Sequence, residues 1–330
     1  MTIYNSTDSN MQLGVSDNPV IKPGESYKYT PNVFDTIPIQ LGVRQCRITR
    51  EYSDIAVDRQ FGLDAEVTGE DDPEIVVKSM PIKAVVLVSG GLDSAVTLAD
   101  AVSKYGSDNV VAANITYGQV HVRETECAEA IADHFGVKLI QEDISSVFEY
   151  AKNVCSLMQG SQISMNDKSY SEQIAEEGSP NTEVPLRNGI FLMSAASLAM
   201  SIFPKEYVVV SYGAHSDDAA GSAYPDCSPA FASAIEEAIC IGSRGMLHIE
   251  RPLIELSKAG VVTLGLKLKV PFHLTTSCYH GGDKACGVCG TCRDRIAAFQ
   301  ANQVIDPIPY ADSIDWTGCS KIDYLEDKYV

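Results

Sequence analysis

A segment rich in serine and glycine, Ser89–Ser94, lies between a continuous apolar run and a predicted helix. Its two glycines allow the backbone to turn sharply and to approach a ligand closely. Backbone N–H groups and the N-terminus of the following helix would then form an anion site, to which the serine hydroxyls add donors. No lysine follows the glycines, so this is not a Walker loop. We therefore predict a phosphate-binding loop made of Ser89, Gly90, Gly91, Leu92, Asp93 and Ser94. In this loop, Asp93 either caps the helix or helps to hold Mg²⁺.

Four of the ten cysteines crowd into a glycine-rich segment of 15 residues. Thiolates at this spacing suit a tetrahedral Zn²⁺ site, and an iron–sulfur cluster is the alternative. Four protein ligands leave zinc no open position, so the predicted role is structural. The predicted ligands are Cys278, Cys286, Cys289 and Cys292. We expect the other six cysteines to be small buried apolar side chains, namely Cys46, Cys127, Cys155, Cys227, Cys240 and Cys319.

Three other segments carry polar groups suited to a flat, charged ligand. The guanidinium of Arg187 offers a planar fork for a carboxylate or phosphate, and Asn188 can cap a helix or bind a ligand. Tyr117 and Gln119 follow a predicted strand, where they could touch an adenine. Each segment would equally fit a plain structural role as a helix start, an acidic loop or a turn. An aromatic ring with carboxylates nearby suits a purine-like base, and the candidates of this kind are Asp217, Tyr224 and Asp226.

The elements that must position these groups alternate between strand and helix after Pro81. The apolar run Ala84–Val88 is typical of a parallel strand buried on both faces. This alternation predicts an α/β fold with a doubly wound, Rossmann-like parallel sheet, whose ligands lie beyond the carboxyl ends of the strands. Residues 151–182 are expected to form an irregular loop or lid. The other predicted strands are Asn109–Ile115, Val137–Ile140, Tyr207–Tyr212 and Met246–Ile249. The predicted helices are Ser94–Tyr105, His121–Phe135, Arg187–Phe203, Ser228–Ile241 and Leu256–Lys267.

The first 80 residues follow a different pattern. Alternating polar and apolar residues over Gly42–Tyr52 and Phe61–Val67 predict short β-strands. An acidic turn at residues 69–73 precedes the change in pattern. We predict a small β-rich accessory domain over residues 1–80, and a second domain over residues 81–330 that contains the phosphate loop and the cysteine segment.

Composition restricts the classes of partner. The chain has 330 residues, of which 45% are hydrophobic and 21% charged, as in globular proteins. Its formal net charge of −19 disfavours general nucleic-acid binding, because an acidic surface repels phosphate backbones. No run approaches the roughly 20 apolar residues of a membrane span, and the polar start lacks the order of a signal peptide. We therefore expect a cytoplasmic protein with no membrane partner.

Together, and in this order, the motifs resemble those of the 7-cyano-7-deazaguanine synthase family. This family belongs to the adenine nucleotide α-hydrolase-like (PP-loop ATP pyrophosphatase) superfamily. The resemblance covers about residues 83–300 and implies a homodimeric ligase that uses ATP, Mg²⁺ and Zn²⁺. Its motifs are the phosphate loop, Tyr-Gly-Gln, Val-Pro-x-Arg-Asn, Tyr-Pro-Asp-Cys, Ser257-Lys258 and Thr-x-x-Cys…Cys-Gly-x-Cys-x-x-Cys.

The resemblance implies that the carboxylate of 7-carboxy-7-deazaguanine attacks the α-phosphorus of ATP. Ammonia then displaces AMP, and a second adenylation converts the amide into the nitrile. The residues implied to bind ATP are Ser89, Gly90, Gly91, Leu92, Asp93, Ser94, Tyr117 and Gln119. Those implied to bind the deazaguanine are Arg187, Asn188, Asp217, Tyr224 and Asp226. Lys258 would contact phosphate, and it joins the implied catalytic group Ser89, Asp93, Ser94 and Arg187.

The chain departs from the family pattern in its N-terminal region and at Leu186, which replaces a small residue. An extra domain beside an acyl-adenylate site favours a second interpretation. In it the domain recruits a protein whose amine replaces ammonia, and the reaction stops at an amide. A non-catalytic interaction protein and a tRNA thiolase are further interpretations. The intact phosphate loop argues against the former and the acidity against the latter.

Overall fold

The computed structural model describes the chain except for short gaps. The gaps are residues 8, 16, 30–33, 42–43, 52–53, 70–72, 121–122, 165–167, 169, 216–223 and 326–330. The chain divides into two compact units. The first comprises Met1–Lys83, Met200–Val209 and Ala238–His248, and the second comprises Ala84–Ala199, Val210–Glu237 and Ile249–Val330. The domain boundary between residues 80 and 81 stays a prediction.

The N-terminal region is built from short strands, as the alternating pattern predicts. One sheet has the order β4-β1-β9-β8 and a second has the order β3-β2-β5-β6-β7. The ladders of the second sheet are antiparallel, and alternate apolar side chains of its strands are buried in one core. The strands are β1 (Thr2–Asn5), β2 (Met11–Leu13), β3 (Val20–Ile21), β4 (Ser26–Lys28), β5 (Phe34–Leu41), β6 (Arg44–Glu51), β7 (Asp54–Phe61), β8 (Leu63–Thr68) and β9 (Glu74–Ser79).

A five-stranded sheet follows, and it confirms the predicted fold class. Its strands are β10 (Ile82–Leu87), β11 (Val110–Thr116), β12 (Lys138–Asp143), β13 (Tyr207–Ser211) and β14 (Leu247–Glu250). The order is β12-β11-β10-β13-β14, and the pairs β10–β11 and β11–β12 are parallel. The strand order reverses between β10 and β13, and ligands of such sheets bind beyond the carboxyl ends of the strands at that point.

Helices connect these strands at nearly the predicted positions. They are α1 (Leu92–Tyr105), α2 (Arg123–Phe135), α3 (Tyr170–Glu177), α4 (Arg187–Ile202), α5 (Pro229–Gly242), α6 (Lys258–Lys267) and α7 (Gly290–Ala301). The apolar residues of β10 and β11 are almost all buried, which explains why both strands have continuous apolar sequences. Among the described residues, no helix combines the length and the apolar character needed to cross a lipid bilayer.

Two expectations were wrong in part. Residues 151–182 are not irregular throughout, because they contain α3. This helix is held by Gln173, which is 1% exposed, donates to the carbonyl of Lys168 and accepts from the amide of Asn181. Hydropathy does not reveal a buried amide of this kind. None of the ten cysteines, all of which are described, forms a disulfide, but Cys127, Cys240 and Cys319 are only half-buried.

Candidate active site

A cavity of about 290 Å³ lies in the second unit, beyond the ends of β10, β11 and β13. It brings together most of the residues singled out from the sequence, namely Ser89, Gly91, Asp93, Ser94, Tyr117, Gln119, Arg187, Asn188, Tyr224, Asp226 and Lys258. Of the six loop residues, Gly90 and Leu92 do not line the cavity, and Leu92 is fully buried. Asp217 lies outside the described residues.

A serine hydroxyl of the phosphate loop stabilises the conformation of the loop backbone. The Ser94 hydroxyl donates to the carbonyl of Gly91 at 3.0 Å and accepts from the amide of Ser89 at 3.2 Å. Gly90 has φ +87°, and a Cβ there would lie 2.1 Å from the carbonyl oxygen of Glu124. Only glycine fits this position, because a side chain would meet both backbone strain and α2. The loop thus has the backbone shape and donors of an anion cradle.

Asp93 does not cap α1, so that expectation was wrong. The N-cap is Gly91, and no side chain caps this helix end. Instead the Asp93 carboxylate accepts from Lys258 Nζ at 2.6 and 2.8 Å, and His215 Nε2 lies 3.7 Å away. Burial alone would raise the pKa of Asp93, but Lys258 and His215 outweigh it and lower the pKa. The pair fixes the Lys258 ammonium at the N-terminus of α6, beside the loop.

Arg187 stands at the N-terminus of α4 with its guanidinium on an aromatic ring. It lies 5.6 Å from the Tyr117 ring centre and donates to the Tyr117 hydroxyl at 3.2 Å. The rings of Phe148 and Phe191 pack edge-on against Tyr117 and hold it in place. Burial acts to lower the pKa of Arg187, but Tyr117, Tyr279 and Asp226 raise it, so the guanidinium stays charged. A fixed cation of this kind can orient a carboxylate.

The residues expected to bind a base are partly used within the protein. The Asp226 carboxylate accepts from the backbone N–H of Asn188 at 3.0 Å and so caps α4 across the chain. The Asn188 amide donates to Cys227 Sγ at 3.2 Å. The Tyr224 hydroxyl shares a hydrogen bond of 2.7 Å with Thr182. Asp226 and Tyr224 nevertheless both line the cavity.

Sequence reasoning missed several residues of the cavity. Glu124, in the first turn of α2, lines it, and so do Asn114, Thr276, Ser277 and Tyr279. Burial raises the pKa of Glu124 to about 7, although Arg187 acts to lower it. Nothing in the local sequence separates Glu124 from the exposed Glu126 two positions later, so no motif could have found it.

The four cysteines come together as predicted. The sulfurs of Cys278, Cys286, Cys289 and Cys292 all lie within 4.8 Å of one another. Tetrahedral zinc with Zn–S bonds of ~2.3 Å needs sulfur separations of roughly 3.8 Å, and one pair, Cys286–Cys292, is 3.9 Å apart. Backbone N–H groups of Val288 and Cys289 donate to Cys286 Sγ, which stabilises a thiolate. The donor set therefore fits a metal ion with four sulfur ligands.

Arg295 links this cluster to the phosphate loop. It lies in α7 with its side chain fully buried, and it forms a two-bond ion pair with Asp306 at 2.6 and 2.9 Å. It also donates to the hydroxyls of Thr275 and Ser277. Between these two residues, the backbone N–H of Thr276 donates to the carbonyl of Gly90 at 2.9 Å. The cysteine segment and α7 therefore support the loop from one side.

Comparisons with known proteins point to one family. The family model described as "Queuosine biosynthesis protein QueC" matches residues 83–303. A 7-cyano-7-deazaguanine synthase from Oceanobacillus iheyensis is 41% identical over 230 residues, which cover 69% of this chain and 98% of that protein. One from Thermoplasma volcanium is 40% identical over 238 residues, 70% of this chain and 92% of that protein. The family model leaves residues 1–82 unmatched.

Proposed function

This chain belongs to the QueC family of queuosine biosynthesis proteins, and we propose that it converts 7-carboxy-7-deazaguanine into 7-cyano-7-deazaguanine with ATP and ammonia. One observation carries the proposal. A single cavity joins an anion-binding loop, Ser89–Ser94, to a fixed cation, Arg187, and to the Tyr224 ring and Asp226. These are the groups needed to hold a triphosphate, a carboxylate and a flat base in one place.

The first step is adenylation of the acid. The carboxylate oxygen attacks the α-phosphorus and pyrophosphate leaves, so negative charge grows on the β-phosphate oxygens. Loop N–H groups, the Ser89 and Ser94 hydroxyls and the Lys258 ammonium stabilise that charge. Because Asp93 already holds Lys258, little reorganisation is needed as the charge develops.

Adenylation solves a leaving-group problem. A carboxylate cannot expel oxide, but the acyl adenylate can expel AMP when ammonia attacks, and this gives the amide. The amide oxygen then attacks the α-phosphorus of a second ATP and pyrophosphate leaves. The C–O bond breaks as AMP departs, and loss of the two nitrogen-bound protons gives the nitrile. Arg187, held on Tyr117, would orient the acid, while the Tyr224 ring would stack on the base and Asp226 would accept from its N–H groups.

The residues present fit zinc better than they fit a dedicated magnesium site. Cys278, Cys286, Cys289 and Cys292 would hold Zn²⁺ in a closed structural site. Asp93 uses both carboxylate oxygens on Lys258, so Mg²⁺ would be held chiefly by the phosphate oxygens of ATP and would neutralise their charge. A homodimer in the cytoplasm is part of the same proposal.

The unmatched N-terminal region favours a second candidate function. The family model begins at residue 83, yet residues 1–82 contain two ordered sheets with a core of their own. A domain of this kind could recruit a protein whose amine takes the place of ammonia. The product would then be an amide between the deazaguanine and that protein, formed from the same acyl adenylate.

Mass spectrometry of the products separates the two functions. The protein is incubated with ATP, 7-carboxy-7-deazaguanine and ammonium chloride, and then with candidate acceptor proteins encoded nearby. We expect a free nitrile, AMP and pyrophosphate. A mass-shifted acceptor protein without nitrile would favour conjugation, and absence of AMP under every condition would exclude both. Ser94→Ala should abolish AMP formation, whereas the exposed Asp108→Asn should not change it.

A further inference from the structure

One acidic side chain in the cavity has no place in the chemistry described so far. Glu124 lies in the first turn of α2 and lines the cavity. Among the described residues, no hydrogen bond satisfies its carboxyl group. Its neighbour Glu126 lies in the same turn but is exposed to solvent. The cavity therefore contains a half-buried carboxyl group that accepts no hydrogen bond from the described residues.

The position of Glu124 is fixed beside the phosphate loop. Its backbone carbonyl oxygen packs against Gly90, because a Cβ atom built on Gly90 would lie only 2.1 Å from that oxygen. Arg187 of α4 and the Tyr117 hydroxyl are the ionisable groups that face its carboxyl. Among the described residues, the other charged groups that line the cavity are Asp93, Lys258 and Asp226. Glu124 thus lies near the place where both the acid and the triphosphate must bind.

A carboxylate in this position conflicts with binding two anions. An ionised Glu124 would repel both the acid and ATP. A carboxylate here is therefore expected to bind a cationic reactant that offsets this repulsion. The reaction also needs a third reactant, ammonia, which is mostly ammonium at neutral pH. Ammonium is a small cation that a carboxylate attracts, and it must lose a proton before its nitrogen can attack.

We propose that Glu124 binds this ammonium ion and takes its proton, so that ammonia is released next to the acyl adenylate. The inference rests on the proposed function and extends it to the nitrogen donor. The lone pair of ammonia forms the C–N bond, and the C–O bond to AMP breaks with its electron pair going to AMP. The nitrogen then carries one excess proton, which passes to the departing phosphate, while Glu124 returns its own to solvent.

The protonation behaviour of Glu124 agrees with this role. Burial raises its pKa to about 7 against the opposing effect of Arg187. A base is most effective when its pKa lies near the working pH. In the competing role, the Glu124 carboxylate would accept hydrogen bonds from the N–H groups of the base, and its loss would affect adenylation as much as the ammonia step.

The test separates the two half-reactions in Glu124→Gln, with Glu126→Gln as the matched control. Acid-dependent exchange of pyrophosphate into ATP reports adenylation alone. We expect Glu124→Gln to keep this exchange within about threefold, but to lose roughly 100-fold or more in kcat/KM for ammonium. Hydroxylamine is already neutral at pH 7, so hydroxamate formation should fall by less than about tenfold. Glu126→Gln should match the wild type throughout.

The pH profile gives a second readout. In the wild type, kcat/KM for total ammonium should have a limb that rises through the pKa of Glu124 near 7 and then levels off. In Glu124→Gln the limb that levels off should be replaced by a continuous rise that follows the fraction of free ammonia. Glu124→Asp keeps a carboxylate and should keep the limb, and thermal melting confirms that each variant is folded. The inference is overturned if adenylation falls in parallel with the ammonia step, or if ammonium kinetics are unchanged. A wild type that forms no ammonia-dependent product would instead overturn the proposed function, and the inference with it.

Discussion

Replacing Arg295 by methionine should destabilise the second unit strongly. The side chain is completely buried, and its guanidinium donates to Asp306 twice, to Thr275, to Ser277 and to the carbonyl of Phe272. Methionine fills much of the volume but leaves the buried Asp306 carboxylate without a cation. Removing one partner of a buried ion pair costs about 3–5 kcal/mol. At roughly 2–4 °C per kcal/mol for a unit of this size, the melting temperature should fall by roughly 6–20 °C.

Urea unfolding followed by circular dichroism measures this loss. The double variant Arg295→Met with Asp306→Leu removes both charges and should recover most of the stability, since a buried pair can be replaced by apolar groups at little cost. Lys104→Met is the surface control, because Lys104 is 44% exposed where it pairs with Asp100, and it should cost under about 1 kcal/mol. A loss below about 1 kcal/mol in Arg295→Met, or a double variant as unstable as the single one, would refute the reasoning.

Three further outcomes follow from the site. Gly90→Ala should abolish adenylation, because its Cβ would meet the Glu124 carbonyl at 2.1 Å, and pyrophosphate exchange measures this. Removing the proposed zinc with a chelator, or Cys289→Ser, should lower the melting temperature and weaken ATP binding measured by calorimetry, because Arg295 of α7 holds the segment whose Thr276 amide donates to the loop. Glu124→Gln should stabilise the fold at pH 8 but not at pH 4. The pKa of Glu124 is raised from 4.5 to about 7, so wild-type stability falls as pH rises between these values, by no more than about 3 kcal/mol. Urea unfolding at both pH values checks this difference.

Features defined by local spacing could be predicted from the sequence. The phosphate loop and the four cysteines each lie within one short segment, so residue types and spacing alone indicate their chemistry. The buried strands β10 and β11 could also be predicted locally, because both of their faces are covered and their apolar runs are therefore continuous.

Features defined by tertiary contacts could not be predicted in this way. Asp93 pairs with Lys258, which lies 165 positions away, and the sequence alone suggested a helix cap or a Mg²⁺ ligand instead of this ion pair. Glu124 and Glu126 look alike in the sequence, and only the packing of α2 against Gly90 separates them. The strands β1–β4 have only two to four residues each, which is too short for alternation to be distinguished from chance.

The proposed reaction requires that a carboxylate oxygen of the substrate attacks the α-phosphorus of ATP in this cavity. The most direct test uses 7-carboxy-7-deazaguanine labelled with ¹⁸O in its carboxylate, with ATP and ammonium, followed by mass spectrometry of the nucleotide. If the reaction passes through an acyl adenylate, AMP carries one ¹⁸O atom derived from the acid, and pyrophosphate carries none. Unlabelled AMP, or ADP with labelled phosphate, would contradict it, because the oxygen would then not have passed through an acyl adenylate.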